Sequence, residues 1–234
     1  MVLLVPDDIP AGANTVAGNV EEMCALFKDW DPRISKLLAL CDSVHKWRLC
    51  IRPGLDPTWS HESAAFTILG DAAHATLPYL ASGAGMSLED GHVLGLCLGR
   101  IKNKSITSKK QALDVYERCR RQRTERIVAR GNVQQHLYHV HDGAEQIERD
   151  QLFSAFNKFN GKGKVESDEY AKEGLVDETD PLPWRWGGVG RWLLTYDCEG
   201  DVEKRWREVE IEGRFKGAAG LGGGAEKAEV RAVL

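Results

Sequence analysis

Asp71 closes an apolar, β-branched run, Phe66-Thr67-Ile68-Leu69-Gly70, and Ala72-Ala73-His74-Ala75, Pro78 and Gly83-Ala84-Gly85-Met86 follow it. A carboxylate just past a buried strand can accept hydrogen bonds from ribose or ribityl hydroxyls. The small alanines let a bulky ligand lie against the backbone. Gly83 and Gly85 permit positive φ and close approach where a helix begins. Free N–H groups at that helix start favour an electron-rich or anionic atom. Residues 66–90 therefore describe part of a nucleotide-cofactor site of the kind open α/β sheets carry at their strand ends. A flavin suits it, because its N1–C2=O edge gains negative charge on reduction. Phosphate suits the same geometry, but no Lys-Ser/Thr pair of the P-loop kind is present. His74 reads either as a charge-transfer or acid–base group or as a histidine hydrogen-bonded within its turn.

The elements that would position these residues follow from spacing. Val2–Val5 reads as a short buried strand. Val20–Phe27 has helical spacing, with Asn19 as N-cap and Glu21-Glu22 in the first turn. Pro32 opens a second helix to Cys41, with Ile34, Leu37, Leu38 and Cys41 on its apolar face. Val44–Arg52 alternates like a strand, and Phe66–Leu69 reads as another. A helix is expected from Met86 to Ile101. Its Gly91, Gly95 and Gly99 share one stripe, which reads as close helix–sheet packing or as the seat of a flat ligand. Ser108–Arg130 forms a long helix. Residues 161–180 read as a polar loop, Leu182–Tyr196 as a tryptophan-rich cap, and the chain from Gly213 as a flexible tail.

Composition narrows the function classes. The chain has 234 residues, a net charge of -4 and 42% hydrophobic residues, which suits a soluble globular protein. From Arg100 to Arg130 eleven Lys/Arg face three acids, whereas residues 142–180 hold eleven acids against five bases. The acids cancel the field that nucleic-acid binding requires, so the basic helix reads as a solvated face or one that meets the acidic segment. No apolar run is long enough to span a bilayer. Six cysteines without a C-x-x-C pair suit a reducing, cytoplasmic compartment. His136, His139 and His141 lack the further ligands of a metal site, and His61-Glu62-Ser63 lacks the spacing of a zincin or a triad. Trp30, Trp47 and Trp59 read as core or substrate-wall aromatics, Trp47 on its alternating strand being the one that could line a pocket.

Residues 70–90 resemble the second flavin-binding motif of the class A flavoprotein aromatic monooxygenases, and the branch they most resemble is the fungal salicylate hydroxylase-like one. The resemblance extends to Val5-Pro6-Asp7-Asp8, Phe27-Lys28-Asp29-Trp30-Asp31-Pro32-Arg33, Lys46-Trp47-Arg48-Leu49, Tyr116-Glu117-Arg118, Asp142-Gly143 and Trp192-Leu193-Leu194-Thr195-Tyr196-Asp197. It implies an FAD-dependent hydroxylase that uses NAD(P)H and O2 on a small aromatic substrate through a flavin C4a-hydroperoxide. By position, Asp71 would hold the ribityl chain, Gly70 is counted with it among the cofactor-binding residues, and Pro78 would lie beside the isoalloxazine ring. The backbone of Gly83, Ala84, Gly85 and Met86 would meet its pyrimidine edge. Pro78 and His74 are the flavin-adjacent candidates for a part in the chemistry.

Family members also carry a strand–GxGxxG–helix unit for the ADP half of FAD, which does not precede residue 1 here. Gly220-Leu221-Gly222-Gly223-Gly224-Ala225 fits G-x-G-x-x-A formally, but no apolar strand leads into it. The expected fold is thus an α/β (α+β) fragment, a partial flavoprotein monooxygenase fold without its N-terminal Rossmann unit. Residues 1–60 would be a remnant of the substrate domain and 61–130 the second part of the FAD domain. Residues 131–212 would form a helical, tryptophan-rich region and 213–234 the tail. A truncated chain, a chain complemented by a separate N-terminal half and a non-catalytic flavin- or partner-binding fragment all remain open.

Overall fold

The computed structural model describes residues 1–51, 54, 57–159 and 189–221. It forms two compact units, Met1–Cys50 and Ile51–Leu234.

In the first unit, β1 (Thr15–Ala17) and β2 (His45–Trp47) pair antiparallel, with Val16 opposite Lys46. Between them lie α1 (Val20–Leu26) and α2 (Pro32–Leu38). Asn19 caps α1 by accepting from the Glu22 N–H at 2.7 Å. Asp31 caps α2 by accepting from the Arg33 N–H at 2.9 Å, with Pro32 in the first turn. The apolar sides of both helices close on Met23, Phe27 and Leu38, joined by Leu3, Val5, Ile34, Cys41 and Val44. The expected strand at Val2–Val5 is absent: Leu3 and Val5 pack as side chains, but their backbone has no ladder partner. The expected strand from Val44 to Arg52 shortens to the residues that face β1, and α2 stops at Leu38 with Leu37 half exposed. Trp30 and Trp47 are exposed, at 60% and 56%, so neither is a core residue, whereas Trp59 is buried. Asn19→Ala removes a cap and is expected to cost about 1 kcal/mol. Chemical denaturation checks this, and an unchanged midpoint would show that water replaces the cap without loss.

The second unit is helical. After the single-turn α3 (Asp71–His74) and a 3-10 turn (Pro78–Leu80) come α4 (Gly83–Gly99), α5 (Ile106–Tyr138) and α6 (Ala144–Phe159), then α7 (Val189–Leu194) and α8 (Cys198–Leu221). Helices α4, α5 and α8 pack on one another. Their shared core holds Trp59, Val93, Cys97, Val115, Tyr116, Cys119 and Val202, and a second cluster joins Leu80, Met86, Ile127 and Leu193. Burial pushes the Cys97 thiol up to about 12, so it stays protonated and serves as an apolar core group.

Phe66–Leu69 is not the buried strand its composition suggests. One antiparallel bridge, Ser60 with Thr67, is all the pairing described there, and Phe66 is 63% exposed. Strand character depends on neighbours, and here the neighbour is a short loop segment at Trp59–His61. Ile68 still packs on the core, and its carbonyl accepts from the Tyr116 hydroxyl at 3.1 Å.

Among the described residues, a Cβ added at Gly91, Gly95 or Gly99 would meet nothing within 4 Å, so the close helix–sheet packing expected of the glycine stripe is not seen there. On the basic helix, Arg118, Arg120, Arg121 and Arg123 find carboxylates on α4, α5 and α8. Helix α8 continues to Leu221, past the expected start of the tail at Gly213. The polar loop of residues 161–180, Trp184, Trp186 and the glycines beyond Leu221 lie outside the described residues. No helix among the described residues is long and apolar enough to cross a membrane.

Candidate cofactor site

Gly70 sets the geometry of the turn. Its φ of 59° and ψ of -145° point its carbonyl into α3, where it accepts from the Ala73 and His74 N–H groups at 2.8 and 3.0 Å. Asp71 and Ala72, first in that turn, are exposed, whereas Ala73 and His74 point inward. Pro78 is exposed at the start of the 3-10 turn, and Leu77 and Leu80 anchor that turn from below.

Helix α4 begins without a side-chain cap. Ser82 precedes it and would ordinarily supply one, but its hydroxyl donates to the Leu80 carbonyl at 2.7 Å. No acidic residue stands in the first turn, so the positive end of the helix dipole is not neutralised there. Ala84 and Gly85 are exposed, and a Cβ on Gly85 would meet nothing within 4 Å. The Met86 N–H is already used by the Ser82 carbonyl at 2.8 Å, and its side chain is buried. Any contact from Gly83, Ala84 and Gly85 is therefore made by backbone N–H groups, while Met86 acts by packing. This surface of exposed carboxylate, small side chains and an uncapped helix start fits an electron-rich, hydroxyl-bearing ligand such as the flavin half of FAD.

Directly beneath it lies a buried ionic centre. Asp90 on α4 is fully buried, and its Oδ2 accepts from the Gly70 N–H at 2.8 Å. The same oxygen stands 2.6 Å from His74 Nε2, and Oδ1 accepts from Arg120 Nε at 2.8 Å. Burial pushes the Asp90 carboxyl upward, but the hydrogen bonds from His74, Arg120 and Gly70 outweigh it and hold its pKa below the ordinary value. Asp90 is then a carboxylate with no proton to give, so His74 must donate from Nε2. The other ring nitrogen, Nδ1, is buried without a partner among the described residues. His74 is thus hydrogen-bonded as its turn suggested, but to the following helix rather than within the turn.

Sequence reasoning did not single out Asp90, Arg120 or Arg123. A signal for Asp90 exists, since Met86, Asp90, Val93 and Cys97 share the buried face of α4, and a carboxylate on an apolar stripe requires a partner. Arg120 and Arg123 likewise interrupt the buried face of α5.

The remaining candidates resolve into local pairs. His136 Nε2 lies 2.9 Å from Glu145, and His139 Nε2 lies 3.0 Å from the Tyr79 hydroxyl. His61 Nδ1 lies 2.8 Å from the Ser63 hydroxyl. Among the described residues, no three His, Cys, Asp or Glu are arranged to hold a metal.

Comparison with known proteins meets this geometry at the same residues. A family described as an FAD binding domain matches residues 61–131. The chain is 39% identical over 198 residues to the FAD-dependent monooxygenase OpS4 of Beauveria bassiana (strain ARSEF 2860), covering 85% of this chain and 42% of that protein. It is 38% identical over 136 residues to 3-hydroxybenzoate 6-hydroxylase 2 of Aquipseudomonas alcaligenes, covering 58% of this chain and 40% of that one. The chain thus spans about two fifths of the length of these relatives. Among solved structures it is similar to CtdE, crystallised with FAD and a substrate, with a TM-score of 0.56 at 19% identity over 88% of this chain and 42% of the other. That likeness concerns the fold, a helical part of a flavoprotein architecture.

Proposed function

We propose that the chain is the C-terminal part of an FAD-dependent monooxygenase and supplies the flavin-side half of a site that hydroxylates a small aromatic substrate, a reading supported by its similarity to such enzymes. The observation that carries the reading is the exposed Asp71, next in the chain to the Gly70 that is hydrogen-bonded to α4, together with the uncapped start of that helix. Asp71 would accept hydrogen bonds from the ribityl hydroxyls. The Gly83, Ala84 and Gly85 N–H groups would meet the pyrimidine edge, and Pro78 would bound the ring face. FAD, when bound, supplies the redox and oxygen chemistry, with NAD(P)H as the reductant and O2 as the oxidant. This chain's residues bind and orient it. Two-dimensional placement of the ring comes from fixed backbone groups, which need no reorganisation as charge builds on the edge they face.

Because the chain spans about two fifths of its relatives, contacts to the ADP half of FAD are proposed to come from a segment outside this sequence, in the same polypeptide or in a complementing one. The salicylate hydroxylase type is the substrate class we favour, on the sequence resemblance. Six free cysteines support a reducing, cytoplasmic setting.

The purified chain is expected to bind FAD weakly, with a visible flavin spectrum on titration but loss of flavin on gel filtration. Stoichiometric retention would contradict the need for a complementing segment. Asp71→Ala is expected to raise the Kd about tenfold, the scale of one charge-assisted hydrogen bond. An unchanged Kd removes Asp71 from the site.

A further inference from the structure

We propose that Asp90 and Arg123 are positioning residues that tie the Gly70–His74 turn to the Trp192–Tyr196 segment through one continuous ion network, so that the turn is held in place only while that segment is docked. That the turn serves a flavin rests on the function proposed above; the tie itself does not.

The route is continuous. Asp90 holds Gly70 and His74 on one side and Arg120 on the other. Arg120 Nη2 reaches Glu89 Oε2 at 2.7 Å. Arg123 grips both oxygens of Glu89, from Nη2 at 2.8 Å and from Nε at 2.9 Å. The same Arg123 then donates to the carbonyls of Trp192 at 3.2 Å and Leu193 at 2.9 Å. Its guanidinium also lies 4.7 Å from the Trp192 ring centre and 4.4 Å from that of Tyr196, and Arg120 lies 4.9 Å from Tyr196.

Chemistry explains why the parts would loosen together. The carbonyls of Trp192 and Leu193 belong to the last turn of α7, where no intrahelical donor can reach them. Arg123 satisfies them, and its positive charge suits that end of the helix dipole. If α7 leaves, Arg123 loses two carbonyl acceptors and the two ring faces that cover it, and its fork is held by Glu89 alone. Glu89 and Arg120 must then reorganise around it, although Arg120 already has one buried nitrogen, Nη1, without a partner. Arg120 is fully buried, so a shift of Glu89 leaves a buried charge short of a partner, which is costly, and Asp90 sits one link further on. Glu89 and Asp90 are adjacent in sequence, so a shift in one moves the helix turn that carries the other.

Amide hydrogen exchange on the full chain, read by mass spectrometry, tests this with Asp90→Asn and Arg123→Lys. Lysine keeps the charge of Arg123 but cannot present its planar fork to Glu89 and two carbonyls. Both variants are expected to speed exchange about tenfold or more in residues 66–77 and in residues 189–196, with the core of α5 around Val115 unchanged. Faster exchange confined to the segment that each variant touches would overturn the tie, as would wild-type exchange in Arg123→Lys. Arg123→Lys also decides the matter if Asp90→Asn fails to fold. Long-range 1H–15N spectra add a signature that general loosening does not produce. His74 should be in its Nε2–H form in the wild type and mixed in Asp90→Asn. A wild-type Nδ1–H ring would overturn Asp90 as its acceptor. FAD titration stays separate: if no form of the chain binds flavin, the flavin reading falls while the exchange data still decide the tie.

Discussion

Arg120→Met is expected to destabilise the second unit by about 3–5 kcal/mol, the scale for removing one partner of a buried ion pair. Arg120 and Asp90 are both fully buried, and their closest contact is 2.8 Å. Methionine fills much of the arginine's volume, so the loss is electrostatic rather than a cavity. It leaves Asp90 as a carboxylate with no cation beside it except what His74 can offer. Urea unfolding checks the size, as a lower midpoint at unchanged slope. A loss below about 1 kcal/mol would mean that water or a rearranged Arg123 reaches Asp90, in line with a surface rather than a buried pair. Adding Asp90→Leu to Arg120→Met should recover part of the loss, because the uncompensated charge is gone. Recovery stays partial, since the Gly70 N–H and His74 then lose their acceptor.

The same pair sets a pH dependence whose sign is fixed. The folded pKa of Asp90 is lowered, as burial is outweighed by the hydrogen bonds from His74, Arg120 and Gly70. A lowered carboxylate contributes stability that is present above the unfolded pKa, about 3.9, and lost as pH falls through the folded one. Removing Arg120 takes away one of the groups that lower it, so the folded pKa rises in the variant and less stability is lost there on acidification. The deficit of Arg120→Met relative to wild type should therefore shrink as pH falls from 6 toward 3, where Asp90 in the variant becomes neutral (roughly the carboxylate range). A deficit that stays constant over that range would place the cost in packing instead.

Local signals in the sequence translated into structure, and non-local ones did not. Asn19 and Asp31 cap their helices and Pro32 opens one, because each acts through backbone groups two or three residues away. Phe66–Leu69 has strand composition, but a strand exists only through its neighbours, and none of that chemistry is written within the four residues. The exposed Asp71 and the glycine-rich start of α4 were legible as one stretch of chain. Which N–H groups stay free was not, since that depends on the Ser82 hydroxyl turning back to Leu80. The ionic centre shows the limit most clearly. Asp90 is marked as anomalous by its place on an apolar helical face, yet its main cation lies thirty residues away on α5. Helical spacing specifies a face but not the face opposite it.

Gly70 makes the strictest local demand in the candidate site, and Gly70→Ala is expected to cost about 1–3 kcal/mol from backbone strain. Its φ of 59° with ψ of -145° is open to glycine and poorly open to any residue with a Cβ. That Cβ would also stand 3.0 Å from the Ser87 hydroxyl oxygen, which itself donates to the Gly83 carbonyl. Two causes are therefore superimposed, and Ser87→Ala separates them. In the Gly70→Ala background it removes the contact and leaves the strain, so it should recover only a minor part of the loss. Full recovery would locate the requirement for glycine in space rather than in φ. The functional consequence follows from what Gly70 joins. Its N–H binds Asp90, its carbonyl opens α3, and the next residue is Asp71. A chain forced out of this conformation must give up one of those bonds or redirect Asp71, the next residue. Gly70→Ala is accordingly expected to weaken FAD binding at least as much as Asp71→Ala does, about tenfold. Equal FAD affinity in Gly70→Ala and wild type, measured on folded protein, would show that the turn does not position the ligand.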